Sequence, residues 1–326
     1  MSTTVAFDGF FGGRASTLTS ETTTEATLPP TSDSSQERSS RSVDSDPEKI
    51  TFGGKGRGPG KFEQARGVAV SRDNEIFVAD EGNKRVQVFS MNGAFLRLFP
   101  AVVPGVNGQT MHPNDVAIDG EEYVWVAGSN DSNRDHGYVV KYSREGQPEL
   151  NHTYMLRNME GNPPSIAFDA VNNKVIAGAN SAINIFSPDV SSAVGVKVFN
   201  KRKRIVMFIT SDNEGNRFVT EARFGKVHVF NQDGHRLFRF WHFGKLEGKG
   251  IIADNSGHLI IANVLNNRVD MFTNRGEFVR TVVEVESPWG IALGPGGQLV
   301  VTNLKDHIVT IFPHHMVFPY LYNGSV

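Results

Sequence analysis

The sequence predicts an all-β fold, a six-bladed β-propeller behind a polar tail, and three observations carry that prediction. From Ile50 onward, short runs of β-branched and aromatic residues alternate with Gly, Asn and Asp clusters, the pattern of strands joined by tight turns. The runs recur about every 40 to 50 residues, the size of a four-stranded blade. The chain has 326 residues, 39% of them hydrophobic, and 33 Gly against 15 Pro, enough material for one large, turn-rich core.

The tail comes first. Nineteen of the first 47 residues are Ser or Thr, with seven acids and three Arg among the rest. Such a segment buries too little apolar surface to offset the entropy of ordering it, so residues 1–48 are expected to be disordered. A plain linker is the simpler reading, and a phosphorylated one the alternative.

The repeats begin after it. Unit one carries Gly67–Val70, Ile76–Asp80 and Arg85–Phe89; unit two Asp115–Ile118, Val124–Gly128 and Tyr138–Tyr142. Unit three has Ser165–Phe168, Val175–Gly178 and Ile183–Phe186, and the worn unit four Val206–Ile209, Arg217–Glu221 and Val227–Phe230. Units five and six are Gly250–Ala253, Leu259–Asn263, Arg268–Phe272 and Gly290–Leu293, Leu299–Asn303, Ile308–Phe312. A fourth strand comes after most units: Phe95–Phe99, Val196–Phe199, Leu237–Phe240 and Phe278–Val282. Asn92-Gly93, Glu145-Gly146, Asp233-Gly234 and Arg275-Gly276 are turn dipeptides of hairpins. Unit six lacks a fourth strand, while an orphan strand, Lys49–Phe52, precedes unit one. The propeller is therefore expected over 49–313, with 49–53 closing blade six and 314–326 a C-terminal tail; Met316–Phe318 is the alternative closing strand.

Composition excludes several classes. The 326 residues contain no cysteine, hence no disulfide, no Cys nucleophile and no zinc finger or RING site. A net charge of −2 speaks against bulk electrostatic binding of nucleic acid and leaves only a local patch. The start, MSTTVAFDGFFGGRASTL, has no secretory pattern, and no apolar run approaches a membrane span, so the protein is expected to be cytoplasmic and off the membrane. No P-loop or Ser-elbow motif occurs, and the Gly-rich stretch Gly53–Gly58 opens no helix.

Phe52–Phe62, Gly67–Val70 and Val78–Phe89 (VADEGNKRVQVF) resemble the NHL-repeat family, and Asn266-Asn267-Arg268-Val269 repeats the signature in unit five. The resemblance spans roughly residues 49–313 and is greatest to the propeller of tripartite-motif NHL proteins. It implies a recognition scaffold that binds a protein substrate or single-stranded RNA through its top face, in a ubiquitin-ligase or post-transcriptional setting. Without cysteine the chain departs from that family's zinc-bearing module and looks like the recognition half alone. No catalytic residue and no cofactor are assigned.

In a propeller, the loops before the first strands and between the second and third strands share one face. Those positions hold Arg66, Asn114, Lys249 and Trp289, then Arg223, Phe224, Lys305 and His307, with Lys201, Arg202, Lys203 and Arg204 entering blade four on the same side. They are the candidate binding residues: cations for phosphate, with Trp289 or Phe224 as a stacking platform. Arg85 and Arg268 sit there too, but their repeated Asn-x-Arg spacing also fits a structural role. The rival class is a Ca²⁺- or Zn²⁺-dependent hydrolase or lyase. Its candidate ligands are Asp80, Glu221, Asn263 and Asn303, at the ends of second strands, where the other reading is Asx turns that bond their own loops.

Overall fold

A computed structural model describes residues 48–319 except 107, 131–135, 158, 160–161, 198–205, 222–224 and 242–247. The expected disordered tail lies, up to residue 47, outside the described residues. The described chain forms six antiparallel four-stranded sheets, the blades of a propeller.

The first strand, β1 (Ile50–Gly53), is set aside by the chain, which then builds blade one from β2 (Ala65–Val70), β3 (Glu75–Asp80), β4 (Arg85–Ser90) and β5 (Phe95–Pro100). Blade two is β6 (His112–Ile118), β7 (Val124–Ser129), β8 (His136–Tyr142) and β9 (Pro148–Arg157). Blade three is β10 (Ser165–Asp169), β11 (Lys174–Ala179), β12 (Ala182–Ser187) and β13 (Val190–Lys197). Blade four is β14 (Val206–Ser211), β15 (Arg217–Glu221), β16 (Lys226–Phe230) and β17 (Arg236–Trp241). Blade five is β18 (Gly248–Ala253), β19 (His258–Asn263), β20 (Arg268–Thr273) and β21 (Phe278–Glu284). Blade six has β22 (Pro288–Leu293), β23 (Leu299–Asn303) and β24 (Ile308–Phe312), and β1 pairs with β24, Ile50 opposite Ile311 and Phe52 opposite Val309.

The alternative closing strand, Met316–Phe318, is not one. Pro313 has no N–H to extend a ladder, and the chain turns there into a short helix, α1 (His314–Val317). Val317 is fully buried in the cluster that holds Val282 and Val283 of β21. Strand β9 is not evident from the sequence because its alternation is broken: only Tyr154 and Leu156 bury themselves, while Leu150 is 77% exposed.

The core lies in the seams between blades. One cluster joins Phe77, Val88 and Phe99 of blade one to Val116, Val126 and Tyr138 of blade two; another joins Val68 and Ile76 to Val300, Val309 and Ile311 across the ring closure. Hairpin glycines key into these seams. Gly93, Gly146 and Gly276 all have positive φ, and a Cβ on them would press on Phe52, Phe99 and Phe240 of the preceding blade's outer strand. The dipeptides that mark turns in the sequence are thus also packing sites.

Five of the six innermost strands bulge at one end. The register shifts after Ala65 in β2, Pro113 in β6, Val206 in β14, Gly248 in β18 and Pro288 in β22; the β10–β11 ladder shows no shift. Each bulge holds the side chain next in the chain at the channel mouth on the top face, the face of the turns between second and third strands.

Candidate functional site: the channel mouth

The bulges bring Arg66, Trp289 and Lys249, from blades one, six and five, onto one spot. The Arg66 guanidinium carbon lies 5.1 Å and the Lys249 Nζ 4.3 Å from the Trp289 ring centroid. Arg66 Nε also donates to Glu81 Oε2 at 2.9 Å, and Phe208 meets the indole edge-on at 6.4 Å. The Arg66 side chain is 14% exposed and Lys249 5% exposed, so both cations are folded down onto the indole rather than held out to solvent. The Trp289 Nε1–H is buried without a hydrogen-bond partner among the described residues.

Beside this cluster is a cavity of about 190 Å³, walled by Arg66, Glu81, Ser129, Asn162, Pro163, Met207 and Trp289. Its charged part is the neutral Arg66–Glu81 pair; its apolar wall is Met207, Pro163 and Trp289. Neither Glu81 nor Met207 is among the candidate binding residues read from the sequence. Glu81 opens a 3₁₀ turn after β3, and Met207 occupies the bulge position in blade four that Arg66, Asn114, Lys249 and Trp289 fill elsewhere.

The other candidates are spread out. Asn114 is buried and donates from Nδ2 to the Pro164 carbonyl at 2.7 Å, tying blade two to blade three. Lys305 is exposed on the turn after β23. His307, at φ +58°, offers its carbonyl to the Gly54 N–H at 2.7 Å and so braces the chain after β1. Lys201, Arg202, Lys203, Arg204, Arg223 and Phe224 lie outside the described residues.

Arg85 is structural. Its guanidinium donates to Asp80 Oδ2 at 2.8 Å and to the carbonyls of Arg57, Gly58 and Lys61 at 2.8–2.9 Å, clasping the Gly-rich segment to blade one. Arg268 reaches Asp270 on its own strand, at 3.0 Å.

The alternative oxygen ligands each bond locally. Asp80 accepts from Glu63 N, Asn83 and Arg85, and from Gln87 at 3.1 Å; Glu221 pairs with His228 at 2.8 Å; Asn263 donates to Asp270 at 3.1 Å. Each of these three pairs second and third strands of one blade across seven residues. Asn303 donates to the Glu286 carbonyl and to Asp306 and accepts from Asp306 N. Among the described residues, no group of three or more His, Cys, Asp or Glu is placed to hold a metal ion.

One ionisable group on the channel is not marked by any motif. Asp115, in the bulge of β6, is 6% exposed and lines a central cavity of about 320 Å³. Burial pushes its carboxyl up to about 7, against the N–H groups of Ile166 and Val116, which pull it down.

Comparison with known proteins agrees with this architecture. Residues 62–89, the loop before blade one and its first three strands, match the NHL repeat model. The fold is a six-bladed β-propeller, and its first blade carries an NHL repeat. Over 299 residues it is 25% identical to E3 ubiquitin-protein ligase TRIM32 of Mus musculus and of Homo sapiens, covering 81% of this chain and 44% of each relative. The chain thus spans less than half the length of the curated relatives it matches. Among solved structures it is similar to virginiamycin B lyase from Staphylococcus aureus, with TM-score 0.58, 14% identity and coverage of 82% of this chain and 87% of that one. A gluconolactonase from Xanthomonas campestris gives TM-score 0.57, 14% identity and coverage of 77% and 87%. At such identity these structures share the fold and nothing more is carried over from them. No helix among the described residues is long and apolar enough to cross a membrane.

Proposed function

We propose that the propeller is a non-catalytic recognition domain whose top face binds a protein partner in the cytoplasm. The distant similarity to a ubiquitin ligase supports a ubiquitin-linked setting, with this chain choosing the substrate. Its 326 residues contain no cysteine to build a zinc module, so in this reading the ubiquitin-transfer machinery lies elsewhere.

The observation that carries the reading is the state of the two mouth cations. Phosphate recognition wants guanidinium and ammonium groups held out to the backbone of a nucleic acid. Here Arg66 is neutralised by Glu81, and both Arg66 and Lys249 contact the Trp289 ring on which a base would stack. What is left open is a small pocket with an apolar wall and a few polar groups, the form of an anchor site for one protein side chain.

Proximity labelling with the full chain tests this, wild type against Met207→Glu with Trp289→Ala. Neighbours lost by the double variant, with its thermal stability retained, support the reading; an unchanged set of neighbours overturns it. A random single-stranded RNA pool at about 50 mM salt separates the nucleic-acid outcome. Binding there, weakening with a log–log salt slope near −0.7 per phosphate contacted, would replace the protein partner with RNA. Stoichiometric metal in purified protein, lost with Asp80→Ala and Glu221→Ala, would instead favour the hydrolase or lyase class.

A further inference from the structure

The Gly-rich segment that leads from β1 to β2 is pinned onto the top of blade one. The Gly54 N–H donates to the His307 carbonyl at 2.7 Å, which ties the segment to the β23–β24 turn of blade six. Asn83 Nδ2 donates to the Gly56 carbonyl at 3.0 Å, and Arg85 donates to the carbonyls of Arg57, Gly58 and Lys61. Phe62, fully buried, anchors the far end. The segment is thus ordered before anything binds to it.

This pinning decides what the segment shows to solvent. A trans peptide sets its N–H opposite its C=O. With the Gly56 and Arg57 carbonyls turned to blade one, the N–H groups of Arg57 and Gly58 are turned outward, and neither has an acceptor among the described residues. Gly58 is exposed, and a Cβ on it would meet nothing within 4 Å. Successive outward N–H groups suit an anion.

Exposed cations stand around them: Lys55, Arg57 and Lys61 on the segment and Lys305 on the β23–β24 turn. Lys61 Nζ donates to the Gly53 carbonyl at 2.7 Å, which occupies one of its three donors. The carboxylates of the segment and the turns it touches are already engaged. Glu63 is 3.8 Å from Lys55, Glu81 is paired with Arg66, and Asp306 accepts from Asn303 Nδ2 at 2.7 Å. The cluster is therefore positive in a chain of net charge −2.

We propose that this segment and the adjoining turn of blade six dock an acidic stretch of the protein partner. One of its carboxylates meets the Arg57 and Gly58 N–H groups, and its flanking acids meet Lys55, Lys61 and Lys305. The assignment rests on the reading of the top face as protein-binding, and it uses a surface outside the pocket at the channel mouth.

Two rival anions fit less well. Single-stranded nucleic acid stacks its bases on aromatic rings. The one aromatic residue between Gly53 and Gln64 is Phe62, and it is buried. Phosphorylated segments are met by clustered guanidinium groups. Here the Arg85 guanidinium is bound to the segment's own carbonyls, which leaves Arg57 among lysines.

Fluorescence polarisation on the full chain, at about 50 mM salt, tests the proposal with a labelled peptide of alternating glutamate and serine. The peptide should bind, and the triple reversal Lys55→Glu, Arg57→Glu, Lys305→Glu should weaken it by about tenfold or more. Reversing three exposed arginines of blades four and five, Arg236→Glu, Arg239→Glu and Arg275→Glu, should change it by less than about twofold. No binding, or equal losses in the two triple variants, overturns the docking site. So does tighter binding of polyuridine, or of a peptide whose one charge is a phosphoserine. Should the first triple variant fail to fold, the wild-type amide resonances decide: shifts at Arg57 and Gly58 on adding the peptide support the site, and their absence overturns it. Met207→Glu with Trp289→Ala should leave the peptide affinity within about twofold. Absent peptide binding, with neighbours that still depend on the channel-mouth pocket, would overturn this assignment while the recognition reading stands.

Discussion

Phe52, on the strand that opens the propeller, packs against Gly93 in the last hairpin of blade one, so closely that a Cβ on Gly93 would stand 3.0 Å from the ring. The same contact joins Phe99 to Gly146 and Phe240 to Gly276, at seams inside the continuous chain. The closing seam of the ring is therefore built like its other seams, although one side of it comes from the N-terminal strand.

Deleting residues 49–53 should therefore unfold the ring at its closure. The loss comprises the β1–β24 ladder and the Phe52 contacts with Phe89 and Gly93, and should cost several kcal/mol. Deleting residues 1–45 should leave the melting temperature within about a degree of wild type. Equal melting temperatures for the two deletions would contradict this account of closure.

Gly276→Ala should destabilise by about 1–3 kcal/mol, because the residue has φ +87° and its Cβ would overlap the Phe240 ring. The two contributions are separable. Added to Phe240→Ala, the glycine substitution should cost less than it does alone, since only the backbone strain is left. Denaturant unfolding of the four members of the cycle measures the coupling.

Arg85→Ala should cost about 3–5 kcal/mol, since it strands the fully buried Asp80 and releases three carbonyls of the Gly-rich segment. Arg268→Ala should cost distinctly less, as that side chain is 32% exposed and its ion pair lies along its own strand. A reversed order in urea melts would mean that the repeated Asn-x-Arg spacing has another cause.

Acid should weaken the join between blades one and two. Glu75 takes two hydrogen bonds from Arg97, at 2.7 and 2.8 Å, and one from Arg144 of blade two at 2.7 Å, and these hold its carboxyl down at about 2. A lowered carboxyl contributes stability that is present above its ordinary value of 4.5 and is lost as pH falls toward 2. The stability difference between wild type and Glu75→Gln should accordingly shrink from pH 5 to pH 2. A constant difference over that range would show that the arginines pack there without electrostatic effect.

Strand positions were legible in the sequence because each core strand alternates or runs apolar between turn residues, and because the unit recurs. Val78-Ala79-Asp80 and Ile261-Ala262-Asn263 announce their place locally, whereas β9, with Leu150 and Met155 facing solvent, does not. The top-face position of Arg66, Lys249 and Trp289 also came from the repeat, since the period assigns each residue to one end of a blade. What those side chains do there was decided by tertiary contact. Side chains of blades one, five and six meet at the channel mouth, and the indole takes up both cations that composition alone would offer to a phosphate. Asp115 is the sharpest case. Within Asp115-Val116-Ala117-Ile118 it looks like the polar start of a strand, and nothing local marks it. Its burial arises because the next blade closes on it across the seam, with the Ile166 N–H 2.9 Å from its carboxyl, a contact that no local pattern in the sequence shows.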